Sequence, residues 1–228
     1  MKKNKDLLVL YEDNHIIAVN KPAGVLVHGD ESGDRTLQDA VKEYIKAKYN
    51  KPGEVFLGVT HRLDRPVAGV VVFARTSKAL ARLNDMFRLR QIKKIYKAIV
   101  DERPPELEET LRHYIKKEAD KNIAKASLNP KKGGKEGILR YRFESEISGF
   151  ILLSIEPETG RPHQIRSQLK TIGCPIVGDA KYGSYKKTSD HSVCLFCQSL
   201  TFIHPVKKEE ITIKAPMPVN KYWNFFRT

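Results

Sequence analysis

Short apolar runs, each ending at a charged or glycine-containing turn, follow one another through the middle of the chain. They cover residues 94–100, 111–115, 124–128, 139–143 and 150–155. Strands this short and this closely spaced favour antiparallel pairing, because brief turns join antiparallel neighbours only. The chain lacks the regular alternation of strand and helix that builds a parallel doubly wound sheet. We therefore predict an α+β fold with a single mixed, mainly antiparallel sheet and flanking helices.

The first part of the chain adds a hairpin, two helices and a buried strand to this prediction. Apolar runs at 7–10 and 15–19 flank a turn-prone segment and predict the hairpin. Thr36 suits the N-cap of one helix. The β-branched run at 70–73 predicts a buried strand that leads into a second helix over 77–90.

A third helix is predicted between Pro162, a favourable first helical residue, and Gly173, a favourable residue just past a helix end. Its apolar residues share one face, whereas His163, Arg166 and Lys170 share another. We expect the apolar face to pack and the other face to present its basic groups. The remaining predicted elements are two closing strands and a docked terminal helix, at 193–202, 210–214 and 223–226.

Size and composition indicate one intracellular domain. With 228 residues and 40% apolar side chains, the chain can fill one hydrophobic core, or at most two small ones, and we predict a single domain over residues 1–228. No apolar run approaches the length that crosses a bilayer, and no signal-peptide core follows the charged start. The three cysteines, Cys174, Cys194 and Cys197, are too few for a disulfide framework. We therefore expect a cytoplasmic protein, and we expect it to be a monomer.

The charge of the chain indicates a polyanionic partner. The 41 Lys and Arg against 27 Asp and Glu leave a formal net charge of +14, and such a surface attracts polyanions. A lysine coat that serves only solubility is the alternative. Between Arg161 and Lys187, however, six basic residues accompany a single acid, Asp179. This uneven distribution favours nucleic acid as the partner.

Two segments combine groups that suit chemistry on an anionic substrate. Asp64 lies between Arg62 and Arg65 in a loop before the predicted strand at 70–73, which is how an ionised carboxylate would be held. Taken alone, this loop fits a structural ion pair better. The segment 160–166 places two arginines, a histidine and a glutamine at a glycine turn into a helix N-terminus, a setting that binds anions. An ordinary amphipathic surface helix is the alternative there.

At these residues the chain resembles the RluA-type branch of the RNA pseudouridine synthases. Residues 61–65, His-Arg-Leu-Asp-Arg, followed by Gly69, resemble the catalytic motif of that family. The opening loop of the family is matched at 20–24, its second motif at 94–98 and its third motif at 160–166. The signature that follows the third motif is matched at 173–179 and 182–183. The resemblance covers residues 7–218 and implies the pseudouridine synthase catalytic fold. Many relatives also carry a small N-terminal RNA-binding module, which we expect to be absent here because the predicted opening hairpin already starts at residue 7.

The resemblance implies that Asp64 is the essential catalytic carboxylate. The aspartate would attack the ribose or the base, or remove a sugar proton, and the sequence does not choose among these roles. Tyr96 would stack on the uracil and help to remove the proton from carbon 5; without the motif it fits a core strand tyrosine. Arg166 would pair with Asp64, favouring its ionised form and fixing its orientation. The isomerisation involves no redox change or energy input, so no cofactor is required.

The expected partner is structured RNA, ribosomal or transfer, from which the target uridine must be flipped out of its stack. Arg62 would either fill the vacated space or contact a phosphate. Lys21, Arg161 and His163 are further candidates for substrate contacts. Where relatives commonly carry Thr-Ser, this chain has Val67 and Ala68.

Two other positions also depart from the common pattern of relatives. Gln168 replaces a histidine, and 195–197 reads Leu-Phe-Cys in place of Leu-His-Ala. These changes, like those at Val67 and Ala68, affect the expected substrate contacts more than the chemistry.

There are three alternatives to this interpretation. A non-catalytic RNA-binding protein could keep the fold and the basic face, but the motif residues Asp64, Tyr96 and Arg166 argue against it. A zinc site could be built from His191, Cys194, Cys197 and His204. On a strand, residues three positions apart such as Cys194 and Cys197 point to opposite faces, so buried cysteines explain them better and no metal is expected. A nucleotide-binding loop is also not indicated, because 133–135 lacks the required upstream glycine.

Overall fold

The computed structural model describes residues 7–118, 122–130 and 133–227. Over these residues the chain forms, in order, β1 (Val9–Glu12), β2 (Ile16–Lys21), α1 (Leu37–Lys48), β3 (Gly58–Val59), β4 (Ala68–Ala74), α2 (Ser77–Arg88), β5 (Lys93–Val100), β6 (Glu108–Glu118), β7 (Ile123–Ser127), β8 (Lys135–Ile147), β9 (Phe150–Pro157), α3 (Gln164–Thr171), β10 (Leu195–Ile203) and β11 (Glu210–Lys214). No helix within the described ranges is long and apolar enough to cross a membrane.

The chain divides into two compact units. The first unit contains the described residues up to Lys93 together with Cys197–Pro216, and the second contains Lys94–Phe196 together with those from Met217 onwards. The expectation of one domain over the whole chain stays a prediction.

The first unit is built on strands in the order β1-β2-β4-β10-β11, with β3 also paired to β4. The pairs β1–β2, β2–β4, β3–β4 and β10–β11 are antiparallel. Every residue of β4 is buried, which confirms the prediction of a buried strand from its β-branched run. This strand directly follows the loop of Asp64 and anchors it.

Both helices of the first unit begin at the predicted residues. Thr36 caps α1 by accepting from the backbone N–H of Asp39, and the Asp39 carboxylate accepts in return from Thr36. Thr76 caps α2 by accepting a hydrogen bond from the backbone N–H of Ala79. Apolar residues at helical spacing along α1 are buried, and α2 packs against β3 and β4. The prediction of amphipathic helices beside a sheet is therefore confirmed.

The second unit is an antiparallel sheet in the order β5-β9-β8-β6-β7. Strands β6 and β8 extend well beyond their predicted apolar centres, because oppositely charged residues continue the pairing. Glu108 lies opposite Arg142 across the two strands and forms an ion pair with Arg140. Helix α3 packs on β6 and β7.

Helix α3 starts later than predicted and does not present a basic face. Pro162 was expected as its first residue, but the helix begins at Gln164, because His163 at the N-cap adopts a left-handed conformation with φ of +50°. The helix ends at Thr171 with Ile172 as its C-cap, and Gly173, whose φ is +80°, lies just past the end as predicted. All residues from Gln164 to Leu169 are buried, so the expected exposed position of Arg166 is wrong.

The end of the chain docks on the second unit through aromatic side chains. A short helix covers Trp223–Phe226, at the position predicted for the terminal helix. The Trp223 ring meets Phe196 edge to face at a centroid distance of 5.0 Å, and Phe225 stacks on Phe150 at 5.6 Å. Such pairs stabilise a core beyond their buried area.

Candidate active site

Asp64 lies in a tight turn that enters β4. The backbone N–H of Val67 donates to the Asp64 carbonyl at 3.0 Å, and the Asp64 side chain is half-buried. Leu63 and Val67 on either side are buried. The carboxylate is thus carried by a short loop whose flanking residues are fixed in the core, and it remains partly open to solvent.

The loop before Asp64 is attached to β4 by side chains. Thr60 donates its hydroxyl hydrogen to the Val72 carbonyl at 2.6 Å, and the Val72 N–H donates to His61 Nε2 at 3.1 Å. The His61 ring also stacks on Phe87 at 4.7 Å. Because its Nε2 accepts a backbone hydrogen bond, His61 is a neutral imidazole with its proton on Nδ1.

Lys21 connects the opening loop to the loop of Asp64 from inside the protein. Its side chain is 0% exposed, and its ammonium donates to the carbonyls of Pro22 and Arg65, each at 3.0 Å. The Arg65 carbonyl also accepts from the Gly24 N–H at 2.8 Å. The residue next to Asp64 is therefore held by two donors. A substrate contact by Lys21 stays a prediction.

Lys21 and Asp64 interact electrostatically. Burial lowers the pKa of Lys21 to about 7, the negative charge of Asp64 opposes that decrease, and Arg65 adds to it. A buried ammonium beside the carboxylate thus contributes positive charge to this loop that the sequence motif alone did not indicate.

The two arginines that flank Asp64 differ in their surroundings. The Arg65 guanidinium donates to the Gly24 carbonyl at 3.1 Å and pairs with Asp34 at 2.7 Å. Arg62 is exposed, as either of its two predicted roles requires. The choice between filling the vacated stack and contacting a phosphate stays a prediction.

In the second unit, Arg166 makes a two-pronged ion pair with Asp179. Arg166 Nε lies 2.6 Å from Asp179 Oδ2, and Nη2 lies 2.8 Å from Oδ1. The two side chains are only 5% and 1% exposed. The guanidinium also lies over the Tyr182 ring, 4.8 Å from its centroid. One edge of the guanidinium thus makes with Asp179 the two-pronged contact that was expected between Arg166 and Asp64.

Tyr182 links the start of α3 to the edge of the sheet. Its hydroxyl accepts from the Ala124 N–H at 2.8 Å and lies 2.8 Å from His163 Nδ1. The left-handed conformation of His163 aims its ring at this hydroxyl. A substrate contact by His163 stays a prediction, because its described partner is Tyr182.

The glycine turn before α3 is organised by Gln164. The side-chain oxygen Oε1 of Gln164 accepts from the Thr159 hydroxyl at 2.7 Å and from the backbone N–H of Arg161 at 2.9 Å. The side-chain amide nitrogen of Gln164 donates to the Ile138 carbonyl. Arg161 itself donates from Nε to the Glu136 carbonyl at 2.8 Å. The turn therefore has one defined conformation, and Arg161 as a substrate contact stays a prediction.

Tyr96 lies on β5 opposite Ile155 of β9 and is half-buried. The residues that follow it on β5 are buried, so Tyr96 lies near the solvent end of the strand rather than in the core. Asp64 belongs to the first unit, and Tyr96 and Arg166 belong to the second. Their convergence on one uridine stays a prediction.

Sequence reasoning missed three residues that organise this site: Asp179, Tyr182 and Gln164. The segments 178–179 and 182–183 were matched to a family signature, but no role followed from the match. The available signal was that Asp179 is the single acid in a basic stretch. A lone acid among arginines and lysines has many possible partners, and only the fold selects Arg166.

The side chains at which the chain departs from the family pattern are buried. Val67, Ala68 and Cys197 are buried, and Gln168 is fully buried. The Gln168 amide lies within 3.2 Å of the carbonyls of Leu111 and Gly137 and within 3.1 Å of His113 Nδ1. These side chains act on packing, and their effect on substrate contacts stays a prediction.

In the part of the chain that the structure describes, no group of three or more His, Cys, Asp or Glu side chains could hold a metal ion. Of the four residues considered for zinc, His204 lies with Nε2 2.9 Å from the Asp13 carboxylate and accepts backbone N–H groups at Nδ1. Cys194 and Cys197 are buried free cysteines.

Two solved human structures share this fold. Human RNA Pseudouridylate Synthase Domain Containing 4 aligns with a TM-score of 0.78 and 23% identity, covering 96% of this chain and 90% of that one. Human RNA Pseudouridylate Synthase Domain Containing 1 aligns with a TM-score of 0.72 and 22% identity, covering 93% and 84%. The chain thus has the fold of pseudouridylate synthase domains, and the predicted α+β class is confirmed.

The sequence places the chain within that class. It belongs to the RNA pseudouridylate synthase family, whose profile matches residues 15–171. Ribosomal large subunit pseudouridine synthase C of Buchnera aphidicola subsp. Baizongia pistaciae is 34% identical over 218 residues, covering 92% of this chain and 67% of that protein. The tRNA pseudouridine synthase C of Vibrio parahaemolyticus is 31% identical over 235 residues, covering 92% and 90%. The predicted family is confirmed.

Proposed function

We propose that this chain isomerises uridine to pseudouridine within structured ribosomal or transfer RNA and that Asp64 is its essential catalytic group. The observation that carries the proposal is the position of Asp64 on a loop fixed by β4 and by Lys21. A partly exposed carboxylate with fixed flanking residues suits a group that must be aimed at a reacting atom. The family to which the chain belongs supplies the reaction class.

The reaction breaks the bond between ribose carbon 1′ and base nitrogen 1 and forms a bond from the same ribose carbon to base carbon 5. The proton on carbon 5 is lost and nitrogen 1 gains one, so the product is an isomer. Asp64 attacks the ribose or the base, or removes a sugar proton. Tyr96, at the solvent end of its strand, stacks on the uracil and assists removal of the proton from carbon 5.

Arg166 is proposed to orient Asp64 and to favour its charged form. Its support is the rigid position of the guanidinium, which Asp179 grips on one edge and Tyr182 covers on one face. A group fixed in this way loses little entropy when it aligns a partner. Arg62, Arg161 and His163 are proposed to contact the RNA, and Lys21, which is buried, is proposed to act on the substrate through the loop of Asp64 that it holds.

The substrate proposal rests on charge and on the named activities of relatives. A net charge of +14 suits a phosphate backbone, and the two relatives described above are named for ribosomal and for transfer RNA. We place the enzyme in the cytoplasm as a monomer. Size-exclusion chromatography with light scattering would test the second point.

The experiment compares wild type with Asp64→Asn on unmodified ribosomal and transfer RNA transcripts, with pseudouridine detected by chemical labelling. Asp64→Asn keeps the shape of the side chain and removes its charge, so turnover should fall on the order of a thousandfold or more while RNA affinity is retained. Asp85→Asn, an exposed carboxylate of α2, is the matched control and should be active. Near-normal conversion by Asp64→Asn would overturn the assignment. RNA binding without conversion by wild type would indicate a non-catalytic RNA-binding protein.

A further inference from the structure

The loop after Tyr182 holds an aromatic ring out in solvent. Tyr185 is 97% exposed, although a tyrosine ring carries a large apolar surface that proteins usually cover. Tyr182, three residues earlier, is buried. The exposed ring is therefore available to a binding partner.

The backbone under Tyr185 is fixed on both sides. The Lys186 carbonyl accepts from the Gly178 N–H at 3.2 Å and from the Ser184 hydroxyl at 3.3 Å. The Lys187 carbonyl accepts from the Tyr222 hydroxyl at 3.1 Å. Gly178 is required at this point, because its φ is +87° and an added Cβ would lie 2.4 Å from the Ser192 carbonyl oxygen. The ring is thus presented by a defined loop.

The surroundings of the ring are positively charged. Lys186 and Lys187 directly follow the ring and are exposed, Lys181 is exposed on the short helix before the loop, and residues 180–189 contain no acid. Asp190, the next acid, accepts hydrogen bonds from the Ser192 N–H and hydroxyl. An exposed aromatic ring among exposed lysines combines the two contacts that unpaired RNA offers, which are base faces and phosphates.

We propose that Tyr185 is a stacking platform for an unpaired base of the substrate RNA and that Lys186 and Lys187 contact the adjacent phosphates. The proposal rests on the proposed function, since it takes RNA as the substrate. Every base has a face that can stack, so the platform selects unpaired nucleotides without selecting a sequence. Duplex RNA keeps its bases stacked on one another and cannot use it.

The platform belongs to the same segment that holds Arg166. Asp179 and Tyr182, which grip and cover the guanidinium, directly precede Tyr185 in the chain, and the Asp179 carbonyl accepts from the Ser184 N–H at 3.1 Å. A base stacked on Tyr185 would therefore contact the same segment of the chain that positions Arg166. We infer that this contact helps to hold a loop of the RNA while the target uridine is turned outward.

The test uses a ten-nucleotide single-stranded RNA with 2-aminopurine at its centre and the same sequence as a duplex. Tyr185→Ala should weaken binding of the single strand about tenfold and should alter the change in 2-aminopurine fluorescence on binding. Tyr185→Phe keeps the ring and should bind like wild type. Phe56→Ala, an aromatic residue of the first unit that is 51% exposed, should also bind like wild type. Binding of the duplex should be the same for all four proteins.

The lysines are tested through salt. Replacing Lys186 and Lys187 together by alanine should reduce the slope of log affinity against log salt by about 1.4 for the single strand. Replacing Lys46 of α1 and Lys78 of α2, two exposed lysines of the first unit, provides the charge-matched control and should reduce it less. Equal effects of the two pairs would overturn the phosphate contacts at this loop.

An unchanged single-strand affinity of Tyr185→Ala in an enzyme that makes pseudouridine would overturn the platform alone. Equal weakening by Tyr185→Phe and Tyr185→Ala would show that the hydroxyl and not the ring is used, which would also overturn it. A wild type that makes no pseudouridine in either class of RNA would overturn the proposed function, whatever the binding measurements give.

Discussion

Arg166 is held by contacts that a lysine cannot reproduce. Its Nε and Nη2 reach both oxygens of Asp179, and its flat guanidinium covers the Tyr182 ring. A lysine keeps the charge but offers one tetrahedral ammonium and no planar surface. Replacing Arg166 by lysine therefore tests whether the site needs the planar shape of the guanidinium or only its positive charge.

Arg166→Lys should lower the single-turnover rate at saturating enzyme by about a hundredfold, because a loosely held cation no longer orients the carboxylate. RNA affinity should change by about twofold or less, since the side chain is buried. Arg62→Lys, the same change at an exposed arginine, should instead weaken binding, and the defect should shrink at low salt. A near-normal single-turnover rate for Arg166→Lys, with weaker binding only, would make Arg166 an RNA contact. Thermal melts of both variants control for stability.

Lys21 gives the protein a distinct dependence of stability on pH. Its pKa of about 7 in the folded protein lies below its usual value of 10.5, so the unfolded chain binds more protons between these two values. The contribution of Lys21 to stability therefore rises with pH across that window and is least favourable below pH 7, where the buried group is charged.

The free energy of unfolding of wild type relative to Lys21→Met should increase by about 1 kcal/mol per pH unit between pH 7 and pH 9. Urea unfolding at pH 6, 7, 8 and 9 measures it. Lys46→Met, which removes an exposed lysine of α1, should leave the pH profile unchanged. A difference for Lys21→Met that does not vary with pH would contradict a buried, shifted ammonium.

Strands β4 and β10 approach each other closely enough to require glycine at one position. A Cβ at Gly69 would lie 2.2 Å from the Cys197 carbonyl oxygen and 2.5 Å from its nitrogen, and the φ of Gly69 is +119°. Any side chain would separate the backbones of the two strands. Because β4 begins directly after the loop of Asp64, that separation would also move the carboxylate.

Gly69→Ala should therefore lower the free energy of unfolding by about 3 kcal/mol or more. Gly53→Ala is the matched control, because Gly53 has open space around its Cβ position and no positive φ, and it should change stability by about 0.5 kcal/mol or less. Urea unfolding of both variants measures the effects. Equal stabilities would mean that β4 and β10 tolerate a side chain between them.

Element types were predictable from the sequence wherever apolar periodicity and end signals agreed. Thr36, the β-branched run of β4 and Gly173 each set a helix end or a strand through local chemistry. The true lengths of β6 and β8 were not predictable, because their outer parts are charged and are stabilised by the opposite strand. The start of α3 was missed for a similar reason, since His163 adopts a left-handed conformation to reach Tyr182, a residue 19 positions away.

On the scale of the whole molecule, the candidate catalytic residues could be named from the sequence, but the contacts that hold them could not. Asp64, Tyr96 and Arg166 followed from short segments with characteristic order. The buried ammonium of Lys21 and the pairing of Arg166 with Asp179 depend on which loops meet in the fold. A single sequence contains no signal for such contacts between polar residues that are distant in the chain.

The excess of positive charge predicts that RNA binding weakens steeply with salt, through release of counterions from neutralised phosphates. Between 50 and 200 mM salt, affinity for an unmodified transfer RNA transcript should fall on the order of a hundredfold or more. Filter binding across a salt series measures the slope. An almost flat dependence would indicate a lysine coat that serves solubility only.

Tyr182 also has a consequence for how the protein behaves when it is crowded. Strand β7 is the outermost strand of the second unit, and the free backbone of such an edge can recruit a strand from another molecule. The Tyr182 hydroxyl occupies one backbone donor of this edge, at Ala124, and beside it the mostly exposed Lys125 side chain forms an ion pair with Glu118. The ring that covers Arg166 thus also obstructs strand exchange between copies, so its loss would favour self-association as well as a poorly held arginine.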